Sequence, residues 1–233
     1  KAINSHSQSA SSSLKSIQIN GLVMGRDLVS FPTSPQPGWR KAGINKASIF
    51  PGFCSKHDNK LFTQADSISI ENINKKALYF LSFRTFALEM RKKEYHADTF
   101  DGILQQLGDV DFLESFNLGL KTCLLVTKPY YMKKYEESIK LANLHPMIHY
   151  IYKVDRNLGI SCSTIINPVP MMEQPLYKPQ PTISFNILPR KDYTLIALSS
   201  LTEDADLMSR FTSNNSRLED LVFNYCEEVL FNI

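Results

Sequence analysis

Helical and strand periodicities occupy separate stretches of this chain, and that segregation constrains its fold more than any other feature. From Asn72 to Tyr95 the apolar residues Ile73, Ala77, Leu78, Leu81, Leu88 and Met90 recur at helical spacing, which predicts one buried stripe. Asn72 stands where an N-cap belongs, and Arg91-Lys92-Lys93 suits the negative pole of the helix dipole. A second helix is expected over Thr99–Leu107. A third is expected after Pro129, from Tyr130 to Leu144, stopping before Pro146. Phe80, Phe83 and Phe86 read as core, and Glu89 is placed to pair with Lys92 or Lys93 on the surface.

Strand alternation then takes over, at Ile148–Val154, Ile160–Ile166, Thr182–Leu188 and Tyr193–Leu198. The links are turn signals at Asp155–Gly159 and Pro189–Asp192 and a proline-rich connection from Pro168 to Pro181. Four strands in this arrangement predict an antiparallel meander with one buried face. Two helices, Glu203–Phe211 and Leu218–Leu230, close the chain. Because the elements come in blocks rather than in βαβ alternation, the expected class is α+β, with residues 67–233 as its body.

Residues 1–66 are different in kind. A serine-rich opening, Ser5–Ser13, leads to an expected strand at Ile17–Val23, and the prolines between Phe31 and Trp39 require a loop. So loop-rich a section buries little core by itself and calls for a metal or a larger domain to hold it. It also contains the most chemically distinctive segment, Phe50-Pro51-Gly52-Phe53-Cys54-Ser55-Lys56-His57-Asp58-Asn59-Lys60. The Cys54-x2-His57 spacing lets one turn aim sulfur and imidazole at a tetrahedral zinc, with Asp58 as an oxygen donor. His6 is the other candidate ligand in this section. A second Cys-x2-Cys knuckle would have to precede Lys1.

The segment Asn4-Ser5-His6-Ser7-Gln8-Ser9, followed by Phe53-Cys54-Ser55-Lys56-His57-Asp58-Asn59, resembles the two halves of an HNH-type, treble-clef module. The layout is similar to uncharacterised bacterial proteins that join such a module to a helical and β-rich remainder. The resemblance implies a zinc-binding Cys54, with His57 in the place of the family's partner cysteine. It implies His6 as general base and Asp58 where the family carries a metal-binding histidine. The family's first cysteine pair is missing. The resemblance implies a treble-clef-like metal site in a nuclease-type or nucleic-acid-binding bacterial protein, a defence or toxin effector, with nuclease activity either lost or retained as metal-assisted phosphodiester hydrolysis with magnesium or manganese. Lys41, Lys46, Lys56 and Lys60 would then contact nucleic-acid phosphates.

Composition removes other classes. With nine glycines and neither G-x-G-x-x-G nor G-x4-G-K-[ST], a nucleotide fold of those types is not expected. A net charge of +3 permits a nucleic-acid partner without requiring one. Four dispersed cysteines suggest a reducing compartment, and no apolar run is long enough to span a membrane, so a cytoplasmic location is expected. His145 and His149 are separated by Pro146, which opposes a shared helix face. Asp98, Asp101, Asp109 and Asp111 read as helix ends and loops, and Tyr130 and Tyr131 as inward-packing residues at a helix start. The competing reading is a non-catalytic interaction protein, whose α+β body binds a protein partner and whose first 66 residues form a degenerate metal-site appendage. Convergence of His6, Cys54 and His57 separates the two.

Overall fold

The computed structural model describes residues 4–7, 9–26, 39–108, 110–141, 143–168, 175 and 177–214. It is α+β: four antiparallel strands form the main sheet and helices pack against it. The strands are β5 (Met147–Val154), β6 (Cys162–Ile166), β7 (Ile183–Pro189) and β8 (Thr194–Leu201). Their order is β5-β8-β7-β6. The last three form the expected meander, but β5 skips to the far side and pairs with β8 from Met147↔Leu201 to Val154↔Thr194. Alternation identifies strands and their faces; it does not say which strand lies beside which.

The expectation of one buried face also fails for the central pair, because every residue of β7 and β8 is buried. One face carries Ile183, Phe185, Ile187, Ile196 and Leu198, which pack with Met208 and Phe211. The other face meets the long helix, and its polar positions are used there. Asn186 Oδ1 accepts hydrogen bonds from Thr85 Oγ1 at 2.9 Å and Ser163 Oγ at 2.6 Å. A polar residue in an alternating strand therefore faces a partner here rather than water. The hydroxyls of Ser184 and Ser200 are buried without a partner among the described residues.

The helices are α1 (Ser55–Asp66), α2 (Lys75–Leu107), α3 (Asp111–Thr122), α4 (Lys128–Leu141) and α5 (Ala205–Asn214). α2 absorbs both helices expected before Gly108. Its cap is Asn74, whose side chain accepts from Ala77 N at 2.9 Å. Asn72 instead closes the preceding turn, accepting from Ser69 N and donating to Ser67 O, each at 2.6 Å. Gly108, at φ 76°, donates back to Leu104 O and ends the helix in a conformation that costs glycine little. Glu89 pairs with Lys92 as expected, at 2.6 Å.

Pro129 does not begin a helix. α3 and α4 are continuous through a π-helical turn, Cys123–Thr127, immediately before it. Proline has no N–H to offer the carbonyl four residues back, and a widened turn accommodates that gap without ending the rod. Of the two tyrosines expected to pack inward, Tyr131 is buried and Tyr130 is half-buried, and Tyr135, one turn on from Tyr131, is buried too. The second half of α2 and α3 share a small separate cluster of Ala97, Phe100 and Leu120. The expected helix at Leu218–Leu230 lies outside the described residues.

In the first 66 residues, β1 (Asn4–His6) pairs antiparallel with β4 (Ile49–Pro51), and β2 (Leu22–Arg26) with β3 (Trp39–Gly43). The strand expected at Ile17–Val23 starts later, because Lys15–Ile17 is a helical turn and Asn20-Gly21 reverses the chain at positive φ. The expected loop between Phe31 and Trp39 lies outside the described residues except for Trp39, which opens β3. Leu61, Phe62 and Ala65 of α1 enter the same core cluster as Leu78, Phe83 and Leu195. Arg84, 3% exposed, clamps Asp66 with two hydrogen bonds at 2.6 and 3.3 Å and lies over the Phe62 ring. Arg190 ties Ile68 O and Ser13 Oγ to the β7–β8 turn.

Candidate metal and nucleic-acid turn

The first turn of α1 is anchored from behind. Phe53 stacks edge-on against Phe62 and Phe83 with ring centres at 4.7 and 5.4 Å, and its N–H donates to Ser5 Oγ at 3.3 Å. Gly52 leaves room for the Phe50 ring; a Cβ there would lie 2.4 Å from it. Cys54 follows as the N-cap, with extended backbone, and its carbonyl accepts the first helical bond from Asp58 N at 2.9 Å. Residues three apart on a helix share a face. Cys54 Sγ accordingly makes a hydrogen bond with His57 Nδ1 at 3.4 Å, on an exposed part of the surface.

That spacing suits one ion. A tetrahedral zinc with Zn–S of ~2.3 Å and Zn–N of ~2.0 Å holds its sulfur and nitrogen ~3.5 Å apart. The sulfur–imidazole pair is a zinc-type donor set, whereas magnesium or manganese would find only the carboxylate of Asp58. Asp58 is half-buried, and its Oδ1 is a buried acceptor without a hydrogen-bond partner among the described residues.

His6 does not join them. It sits in β1 opposite Ile49, and its Nδ1 makes hydrogen bonds with Ala47 O at 3.1 Å and Ser48 Oγ at 3.4 Å. Among the described residues, no three His, Cys, Asp or Glu side chains gather into a metal-holding group. Lys56 and Lys60 are exposed one turn apart on α1, on the face opposite the buried Leu61 and Ala65. Lys41, in β3, and Lys46, between β3 and β4, are exposed as well.

Folding also assembles a cluster that no local spacing announces. Where α4 meets the end of β8, Tyr130 Oη donates to Glu203, and Tyr131 Oη donates to Asp204 Oδ2 at 3.0 Å. Lys134 Nζ donates to Glu203 Oε2 at 3.3 Å and lies 3.1 Å from His145 Nε2. Burial pushes the Glu203 and Asp204 carboxyls up, and burial with the Lys134 charge pushes His145 down. Apart from His145, these partners are far separated in sequence, so only the tyrosine–lysine run hinted at them. His149, on the sheet face beneath α2, bonds Ser199 Oγ at 2.8 Å, and burial lowers its imidazole to about 4.

No helix among the described residues is long and apolar enough to cross a membrane. No family model matches the chain, and neither curated proteins nor solved structures provide a match.

Proposed function

We propose that this is an HNH-like nucleic-acid-binding protein that does not hydrolyse its partner, with zinc held at the first turn of α1. The observation that carries this reading is the 3.4 Å approach of Cys54 Sγ to His57 Nδ1 on an exposed turn. Zinc would be held by Cys54 and His57 and would act structurally, fixing the turn. Lys56 and Lys60, on the outer face of the same helix, would meet backbone phosphates. Hydrolysis is left out because, among the described residues, His6, the implied base, is not gathered with Cys54, His57 and Asp58 into a metal-holding group.

The test is zinc content of purified protein beside Cys54→Ser and His57→Ala, followed by fluorescence anisotropy with labelled DNA and RNA across a salt series. Zinc should be absent from both variants. Changing Lys56 and Lys60 to Gln should lower the slope of log K against log salt by roughly one for each phosphate that is no longer neutralised. Cleavage of either nucleic acid with magnesium or manganese would overturn the non-hydrolytic part.

A second reading, an interaction protein, has one observation in its favour. Leu107, Phe112 and Phe116 are 69%, 75% and 43% exposed where α2 turns into α3, an apolar tip that suits protein contact. That reading requires Phe112→Ser and Phe116→Ser to impair partner binding while zinc content is unchanged.

A further inference from the structure

We propose that the outer edge of β5 is a docking site for an extended peptide of a protein partner, which adds a strand to the main sheet. β5 ends the strand order β5-β8-β7-β6, and among the described residues no strand lies on its other side. The register says which way its backbone groups point. Thr202 N donates to Pro146 O at 3.2 Å, one step beyond the Met147↔Leu201 pair. Alternate residues of an antiparallel strand turn their N–H and C=O to the same side, so Ile148, Tyr150, Tyr152 and Val154 bond β8. The turn at the other side of β8 fixes the same alternation: Arg190 N donates to Tyr193 O, so Thr194, Ile196, Leu198 and Ser200 are left for β5. Met147, His149, Ile151 and Lys153 therefore turn N–H and C=O outward, in pairs roughly 7 Å apart.

Exposed edges are ordinarily guarded by short strands, prolines, bulges or lysines. β5 runs for eight residues without proline or glycine, and its pairing with β8 is continuous. Lys153 pairs with Asp155 and lies 5.8 Å from the centre of the Tyr193 ring, on the β8 side. The opposite edge is treated differently: β6 has five residues, and Ser163 Oγ has Ser7 O of the first section within reach at 3.3 Å. The outward row of β5 names its occupant, because donors and acceptors alternating at this spacing are matched by another extended backbone. Nucleic-acid phosphates only accept, and would leave the outward carbonyls unpaired. Side chains then set the sequence. Tyr150, Tyr152 and Val154 pack on the apolar cluster of one sheet face, and Ile151 is 36% exposed on the other. A proline-free segment with β-branched or aromatic residues at alternate positions extends that layer.

The experiment is fluorescence anisotropy on the full chain with a labelled peptide of alternating Val and Thr, the length of β5 and with terminal lysines. The control is the same peptide N-methylated throughout, which has no backbone donor. Amide hydrogen exchange read by NMR reports on the edge itself. The control should bind roughly tenfold more weakly or worse. The amides of His149, Ile151 and Lys153 should exchange quickly in the free chain and slowly in the complex, while those of Ile148, Tyr150 and Tyr152 stay slow in both. Ile151→Pro deletes an outward N–H, so it should abolish binding with the circular dichroism spectrum unchanged. Tyr150→Pro deletes a bond to β8 and should destabilise the fold. Ile151→Lys keeps every N–H but guards the edge, and should also weaken binding. No binding by the wild type, or unimpaired binding by both Ile151 variants, would overturn the proposal. So would outward amides already protected in the free chain: in a monomer the chain covers its own edge, and in a dimer, identified by sedimentation, a second copy takes it.

Discussion

The β7–β8 pair and the first turn of α1 are both rich in polar side chains and treat them in opposite ways. In the sheet, Asn186 takes two hydrogen bonds, Thr194 Oγ1 links Arg156 O and Leu158 N, and Ser199 meets His149. At the start of α1, Cys54 and His57 bond each other at the surface, and Asp58 keeps a buried oxygen with no partner among the described residues. Apart from the Ser184 and Ser200 hydroxyls, which have no partner among the described residues, these polar groups of the sheet are paired inside the core and so define which strands and helices go together. At the turn the sulfur and imidazole bond each other on an exposed surface that is rigid behind them, where a ligand can reach them. Chemistry is therefore to be sought at the turn, whose aromatic backing is structural and whose front is not.

The largest effect should come from a change in the buried half. Phe185, fully buried between β8 and α5, should lose about 3–5 kcal/mol of stability on Phe185→Ala. Urea unfolding checks this, and a much smaller loss would mean the outer face of the sheet is loosely packed.

His149 provides the next effect, and its sign follows from burial. Its folded value, about 4, is below the ordinary imidazole range, so the folded state resists protonation. The stability this contributes is complete above ~6.5 and lost as pH falls toward about 4, amounting to about 2–3 kcal/mol for a partly exposed ring. Urea midpoints measured from pH 7 to pH 4 should therefore fall less steeply for His149→Asn than for the wild type. Parallel profiles would remove His149 as the cause.

Asn186→Ala should cost about 1–2 kcal/mol in the same urea assay. Thr85 and Ser163 lose an acceptor, but each single O–H has another within reach, Leu81 O and Ser7 O respectively. The smallest effect belongs to the turn. Without zinc, Cys54→Ser and His57→Ala should stay within about 0.5 kcal/mol of the wild type, since neither side chain fills the core. A large loss in either would erase the contrast between core and turn, because the turn would then be part of the architecture.

The elements that could be read directly from the sequence, and those that could not, divide by the range of the interactions that specify them. The periodicity of Ala77, Leu78 and Leu81 marks the long helix, but its length is hidden because nothing between Tyr95 and Thr99 signals that the two expected helices are one. Pro129 reads as a start, and the π turn that lets a helix run through it has no local signature. The Cys54–His57 contact is readable because both residues lie on one helical turn. The use of His6 is not, because a strand register decides which way its side chain is turned. The Tyr131–Asp204 and Lys134–Glu203 contacts are invisible, as they join residues far apart in the chain.

Short-range chemistry alone specifies the α+β class, the positions of the main strands, and a sulfur and imidazole held one turn apart. Long-range packing was needed to set β5 beside β8, to turn the polar residues of β7 toward α2 instead of water, and to close Arg84 on Asp66. It also bonds His6 to Ala47 O. The reason is physical: local pattern says which face of an element is apolar, while strand order and side-chain partners depend on which of many compatible surfaces the chain brings together.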